Sequence, residues 1–137
     1  MMRKKFKIEV LTPFGKFYED EVEFISFIAI GGEYGVLADH AATLVANRSC
    51  PMTIEKDNEK KYMYIADGFV QISNNLVSVI VDYAEWSSNI DASKVLRDIK
   101  NAEEKLGSKK HDEAERTELL AGIEKARAAV KTSSMRN

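Results

Sequence analysis

Cysteine is almost absent from this sequence. Cys50 is the only one, so no internal disulfide can form and a cystine-stapled fold is excluded. A lone cysteine suits a reducing compartment. Histidine is scarce as well. His40 and His111 are the two in the chain, and neither they nor Cys50 stand at metal-ligand spacing, so no metal site is expected. Long apolar runs are missing: no stretch reaches the roughly 18 residues that a membrane-crossing helix needs. The opening MMRKKFKIEV is basic, but no apolar signal-peptide core follows it. A basic excess is missing too. Twenty Lys and Arg stand against 22 Asp and Glu, a formal net charge of −2, which argues against a nucleic-acid binder.

What is present is a folding composition, 45% hydrophobic and 31% charged over 137 residues. That length fits one domain, or a small domain with an appendage. The first part reads with a period of two. In residues 4–11, Phe6, Ile8 and Val10 alternate with Lys5, Lys7 and Glu9, a strand with one wet face. Thr12-Pro13-Phe14-Gly15 carries turn chemistry, and a short strand around Lys16 to Tyr18 follows. Residues 22–30 are apolar nearly throughout, which predicts a strand covered on both faces. Further strands are expected at 43–46, 52–55, 60–67, 68–73 and 76–82. Asn74-Asn75 suits a two-residue hairpin turn. Short strands with frequent turn signals point to a sandwich or barrel.

From Asn89 the period becomes helical. Val95, Ile99, Ala102 and Leu106 fall on one face of a helix over 90–106. Asn89 or Asp91 is suited to cap its start, and Gly107 to end it as a C′ glycine within the breaker GSKKH. Asp112 caps a second helix with an apolar face at Leu119, Leu120, Ile123, Ala126 and Val130. Its start is acidic (Asp112, Glu113, Glu115, Glu118) and its end basic (Lys125, Arg127, Lys131, Arg136), which complements the helix dipole. A five-residue connection makes the pair an antiparallel hairpin. The fold class is therefore α+β: an N-terminal β-sandwich of short, mostly antiparallel strands over 1–87, then a helical hairpin over 88–137. Each helix offers one narrow apolar stripe, so the hairpin must dock on the sandwich or on a partner, and it is the part free to move.

The stretch GGEYGVLADHA, residues 31–41, carries the candidate chemistry. A phosphate cradle would need GxxxxGK[ST] or GxGxxG, and neither is present. An acid–base site built on Asp39 and His40 lacks a nucleophile or metal beside it, so no catalytic residue is assigned. A glycine-shaped contact loop displaying Glu33, Tyr34 and His40 remains.

That stretch also resembles the G-E-F-G-V-L-P-x-H-A-P pattern of the epsilon subunit of F-type ATP synthases. The likeness extends to KIEVLTPFGKFYEDEVEFI, to IADGFVQISNNLVSVIVDYAE and to NID followed by two helices. Ala42 stands where the family has Pro, Ser49-Cys50-Pro51 replaces a Pro-Gly turn, Asp67 replaces the first Gly of Gly-Gly-Phe, and Val81 stands where Ala precedes Asp82. The resemblance implies a non-catalytic rotor-stalk subunit of a proton- or sodium-translocating enzyme, peripheral on the cytoplasmic face of a bacterial plasma membrane. Its sandwich would hold the gamma subunit and sit on the membrane rotor ring of c subunits, with Glu33, Tyr34 and His40 facing that ring. Its hairpin would fold back, or extend toward the catalytic alpha and beta subunits and block ATP hydrolysis through Lys125, Arg127 and Lys131. Some members bind ATP through I/L-D-x-x-R-A and second-helix arginines. Here Asp91 matches, Lys94 replaces the Arg and Val95 the Ala, with Arg127 as the second-helix candidate. A lysine does not reproduce the planar guanidinium fork, so weak ATP binding at most is implied, and no other cofactor. The competing readings are a free-standing nucleotide-sensing or protein-interaction module whose hairpin closes on ATP, and an enzyme using Asp39 and His40.

Overall fold

The computed structural model describes residues 3–108 and 112–135. Residues 109–111, His111 among them, and Arg136 lie outside the described residues. Ten strands are seen among the described residues: β1 Phe6–Thr12, β2 Gly15–Val22, β3 Phe24–Ala29, β4 Gly32–Leu37, β5 Thr43–Asn47, β6 Cys50–Lys56, β7 Glu59–Ile65, β8 Gly68–Ser73, β9 Leu76–Val81 and β10 Ala84–Trp86. A 3-10 turn, Ser87–Asn89, leads to α1, Ala92–Ser108, and α2, Glu113–Ser133.

The strands run in the order β10-β7-β6-β3-β5-β8-β9-β1-β2, with β4 also on β3. The join between β3 and β5 is a single pair, Ala29 with Asn47, so the sheet folds over at that corner into two facing halves. All pairings are antiparallel except β1 with β9. Alternation sends Ile8, Val10, Ile25, Phe27, Met52, Ile54, Met63, Ile65, Val70 and Val79 into one core between the halves. Strand β3 is buried on only one face: Ile25, Phe27 and Ala29 are buried, while Phe24, Ser26 and Ile28 are half-buried. The expected cover on both faces is thus incomplete.

Gly68 shows why one glycine is obligatory. A Cβ there would lie 2.1 Å from the Ile80 carbonyl oxygen, because β8 and β9 cross too closely for any side chain. Asn74 and Asn75 both have positive φ, 52° and 59°, as the hairpin turn between β8 and β9 requires. Asp57 and Asn58 do the same between β6 and β7, with φ of 51° and 63°.

Asp91 caps α1, its Oδ1 accepting from the Lys94 N–H at 3.1 Å. Asp112 caps α2 in the same way, accepting from the Glu115 N–H at 2.7 Å. Gly107 lies inside α1, which continues to Ser108, so it does not end the helix as a C′ residue. Val95, Ile99, Ala102 and Leu106 form the covered face of α1 as their spacing predicts. On α2, Ile123 is buried and Leu120 is 51% exposed, so the apolar stripe is narrower than the sequence suggested. The helices pack on each other, and α2 rests on β6, β7 and the 3-10 turn.

Candidate functional site

Three surfaces of the sandwich carry side chains that the core does not use. The first is the end built by β4 and residues 38–42. Expected as a loop, half of it is a strand: Gly32 to Leu37 pair with β3, Glu33 opposite Ile28 and Tyr34 opposite Phe27. The glycines therefore shape the turn into a hairpin arm instead of an open loop. Glu33 is exposed. Tyr34 stacks on Phe27 with ring centroids 5.5 Å apart, and its hydroxyl lies 3.2 Å from His40 Nε2. His40 Nδ1 lies 2.7 Å from the Ala41 carbonyl oxygen. A carbonyl only accepts, so Nδ1 carries the hydrogen and Nε2 accepts from Tyr34. The structure thus joins Tyr34 and His40 into one unit packed against the core, while exposed Glu33, one residue earlier on the strand, points to the opposite face.

Asp39 holds this end in place. Its φ is 64°, its N–H donates to Asn75 Oδ1 at 2.6 Å, and its carboxylate accepts from Asn75 Nδ2 at 3.0 Å and from Lys4 Nζ at 2.9 Å. The Asn75 amide and the Lys4 ammonium hold the Asp39 carboxyl below its usual range. Asp39 is thereby committed to a structural clip between the segment leading into β1, the β8–β9 turn and the β4 arm. It does not contact His40 by any bond that would make an acid–base pair.

The second surface lies on the outer face of β5, β8, β9 and β1. Cross-strand pairing sets Ala46 beside Phe69, Phe69 beside Ile80 and Ile80 beside Leu11. Leu44 continues the row at 66% exposed, with Phe69 at 53% and Ile80 at 45%. Phe14, on the adjoining turn, is 94% exposed. Such a row on a water-facing sheet marks a contact surface. The signal was available in the sequence: Phe69 and Ile80 occupy outward phases of strands whose inward phases, Val70, Ile72, Val77 and Val79, already fill the core.

The third surface is the dock of the hairpin. Tyr64 sits on the outward phase of β7, yet only 5% of it is exposed; the Tyr83 ring lies 6.1 Å from its own, and α2 packs on the same strand. Thr132 and Ser133 are buried at the C-terminal end of α2. The Thr132 hydroxyl donates to the Ala128 carbonyl at 2.8 Å, so its burial costs little. Lys125 Nζ approaches Asp67 Oδ2 at 3.8 Å. The other Asp67 oxygen accepts from the Ser49 N–H and hydroxyl at 2.6 and 2.8 Å. Arg127 bridges to Glu103 of α1. Lys131 is exposed near Cys50.

The nucleotide candidates are not brought together. Asp91 is spent on the α1 cap and Lys94 is exposed. Arg127 is anchored opposite Glu103, nine residues further along α1, which is roughly 13 Å along the axis at 1.5 Å per residue. Among the described residues no group of three or more His, Cys, Asp and Glu is arranged to hold a metal. No helix among the described residues is long and apolar enough to cross a membrane.

Comparison with known proteins gives this arrangement a lineage. Residues 5–87 match the family model of the ATP synthase delta/epsilon chain beta-sandwich domain. The ATP synthase epsilon chain of Caldanaerobacter subterraneus subsp. tengcongensis is 36% identical over 98% of this chain and 93% of its own length. That of Alkaliphilus metalliredigens is 33% identical over 77% of this chain and 78% of its own. In solved structures, a chain of the Euglena gracilis mitochondrial ATP synthase OSCP/F1/c-ring assembly superposes with a TM-score of 0.79 at 21% identity, covering 95% of this chain and 84% of that one. A chain of the Tetrahymena thermophila mitochondrial ATP synthase central stalk and c-ring gives 0.63 at 14% identity, covering 98% and 100%. The strand order, the helical pair and the sequence match together make this chain a member of the ATP synthase epsilon chain family.

Proposed function

We propose that this chain is the non-catalytic central-stalk subunit of a proton- or sodium-translocating F-type ATP synthase. In this reading it links the catalytic head to the membrane rotor ring and restrains ATP hydrolysis through its C-terminal helices. The observation that carries the reading is the division of labour on the sandwich. One end carries Glu33, Tyr34 and His40 on a braced arm, the outer face leaves Leu44, Phe69 and Ile80 open, and β6 and β7 hold α2, whose Thr132 and Ser133 are buried. A subunit that must grip two neighbours and release a third element needs three such surfaces.

The apolar row is the face we assign to the gamma subunit, since a long-lived contact favours buried apolar area. The Glu33 end is the face we assign to the polar loops of the rotor-ring c subunits. The hairpin is the regulatory element. Docked, it holds Lys125 beside Asp67 and Arg127 on Glu103. Extended toward the alpha and beta subunits, Lys125, Arg127 and Lys131 would become available to acidic surfaces. An element of this kind has two states separated by a small gap. Peripheral attachment at the cytoplasmic face of a bacterial plasma membrane follows from this assignment.

Co-purification tests the reading. The chain, tagged in its own host and solubilised mildly, is expected to bring down an ATP-hydrolysing complex containing gamma, alpha, beta and c subunits. Recovery of the chain alone at ordinary expression would overturn it and favour a free-standing module.

A further inference from the structure

The two helices do not close on each other along their whole length. Between them, toward the end away from the sandwich, lies a groove of about 420 Å³. Its floor is apolar, made by Ile99, Leu119, Gly122 and Ala126. Gly122 is the reason for the gap: a Cβ there would meet nothing within 4 Å. Glycine inside a helix costs about 1 kcal/mol relative to alanine, and here that residue leaves an opening in the seam that alanine or leucine would narrow. Its polar lining among the described residues is acidic. Asp98, Glu115 and Glu118 line the groove, and no Lys or Arg among the described residues does. Among the described residues no ion pair engages Asp98 or Glu118.

We propose that this groove receives a basic amphipathic helix of a partner protein. The argument is charge complementarity on an apolar seam. An open trough between two antiparallel helices accepts a third helix through ridge-into-groove packing, read by apolar anchors one turn apart. The carboxylates require Lys or Arg flanking those anchors and reject phosphate-bearing or acidic ligands. The space admits two or three leucine-sized side chains, as an i, i+3/i+4 pair supplies. Since both α1 and α2 contribute to it, an occupant would hold the two helices against each other. The proposal does not depend on the rotor assignment.

The test uses the full chain and a fluorescent 18-residue helical peptide with leucines at i, i+3, i+4 and i+7, flanked by lysines. Anisotropy should show saturable one-to-one binding. Gly122→Leu, which fills the groove and leaves every charge in place, should weaken it at least tenfold. Asp98→Asn with Glu118→Gln should weaken it several-fold, and a peptide with glutamates for lysines should not bind. Ala126→Phe fills the same space from another position, should Gly122→Leu fail to fold by circular dichroism. Binding that is absent, or that both filling variants leave intact, would overturn the proposal and reduce the surface to nonspecific charge attraction. A dimer of the chain alone that Gly122→Leu dissolves would also overturn it, by naming a second copy as the occupant.

Discussion

Replacing Thr132 by Glu should release the hairpin while the sandwich stays folded. Thr132 is 0% exposed, at the end of α2 that rests on β6 and β7. Its hydroxyl is satisfied within its own helix, so the site is built for a small side chain with no outward polar demand. Burying a carboxylate without a cation costs several kcal/mol. Against this stands the share that α2 has in covering β7 and its Tyr64, the rest coming from neighbours such as Tyr83. A large aromatic buries about 150–250 Å², which at about 25 cal/mol per Å² is at most roughly 4–6 kcal/mol. The ordering of the hairpin is subtracted from that sum. The two effects are of the same size before that subtraction, so the docked state becomes the minor one.

Small-angle X-ray scattering reads the result. A compact chain of this length has a radius of gyration of about 14 Å. Helix α2, with 21 residues, spans about 32 Å, so a freed hairpin lengthens the particle by a comparable amount. The effect should reverse in acid. A glutamate that docks only when neutral has a raised pKa in the docked state. Docking is then fully regained below the undocked value of about 4.3 and lost as pH rises through the docked one. Thr132→Ala should stay within about 0.5 kcal/mol of the parent. A Thr132→Glu curve identical to the parent's at neutral pH, with one lowered melting transition, would mean that hairpin and sandwich are one cooperative unit and that the hairpin is not released separately.

Gly68→Ala drives a methyl against the Ile80 carbonyl. Overpacking of this kind costs about 1–3 kcal/mol, and each kcal/mol lowers the melting temperature of so small a domain by about 4–8 °C, readable by circular dichroism; an unchanged melting point would mean that β8 and β9 shift apart freely. Cys50 should resist Ellman's reagent at pH 8 until the chain is denatured, because burial pushes its thiol up to about 11; prompt reaction would show that the β6 end opens in solution. Glu19 should titrate near pH 2 by carboxyl NMR, since hydrogen bonds from Lys16 and then Lys7 hold it at about 2. Its depressed value means that the pair's stabilisation is complete above the ordinary carboxylate range and fades as pH falls toward 2. A normal midpoint in the intact chain would count against those bridges. Glu33→Lys should lower ion-coupled ATP synthesis in membranes without loss of assembly; unchanged coupling would remove Glu33 from the proposed rotor-ring contact.

Much of the fold was legible because its signals are local. Period-two alternation found β1, β8 and β9, Asn74-Asn75 found their turn, and the shift of period at Asn89 found the helices. What was missed depends on neighbours distant in sequence. Gly32 to Leu37 contain two glycines and look like a loop, yet β3 offers them a free edge and makes them a strand. Ala84 to Trp86 are too short to show a period, and only pairing with β7 defines β10. The C′ role of Gly107 failed because α1 continued through it for one more residue. The candidate site was legible in part. Tyr34 and His40 sit together as their closeness in sequence suggested, but the Asp39–Asn75–Lys4 clip spans three separate strands or turns, and no local pattern reports it. Arg127 seemed a partner for Asp91 and Lys94 only until helix register set it against Glu103.

In the proposed function the sandwich attaches this chain to a rotary ATP synthase while the hairpin regulates it. The ATP hydrolysis rate of the purified complex carrying the chain cut after Ser88, beside the complex with the whole chain, tests both halves at once. The truncated chain should still co-purify, and hydrolysis should rise several-fold. A truncated chain that no longer assembles, or a complex that hydrolyses ATP at the same rate with and without the helices, would contradict the proposed function.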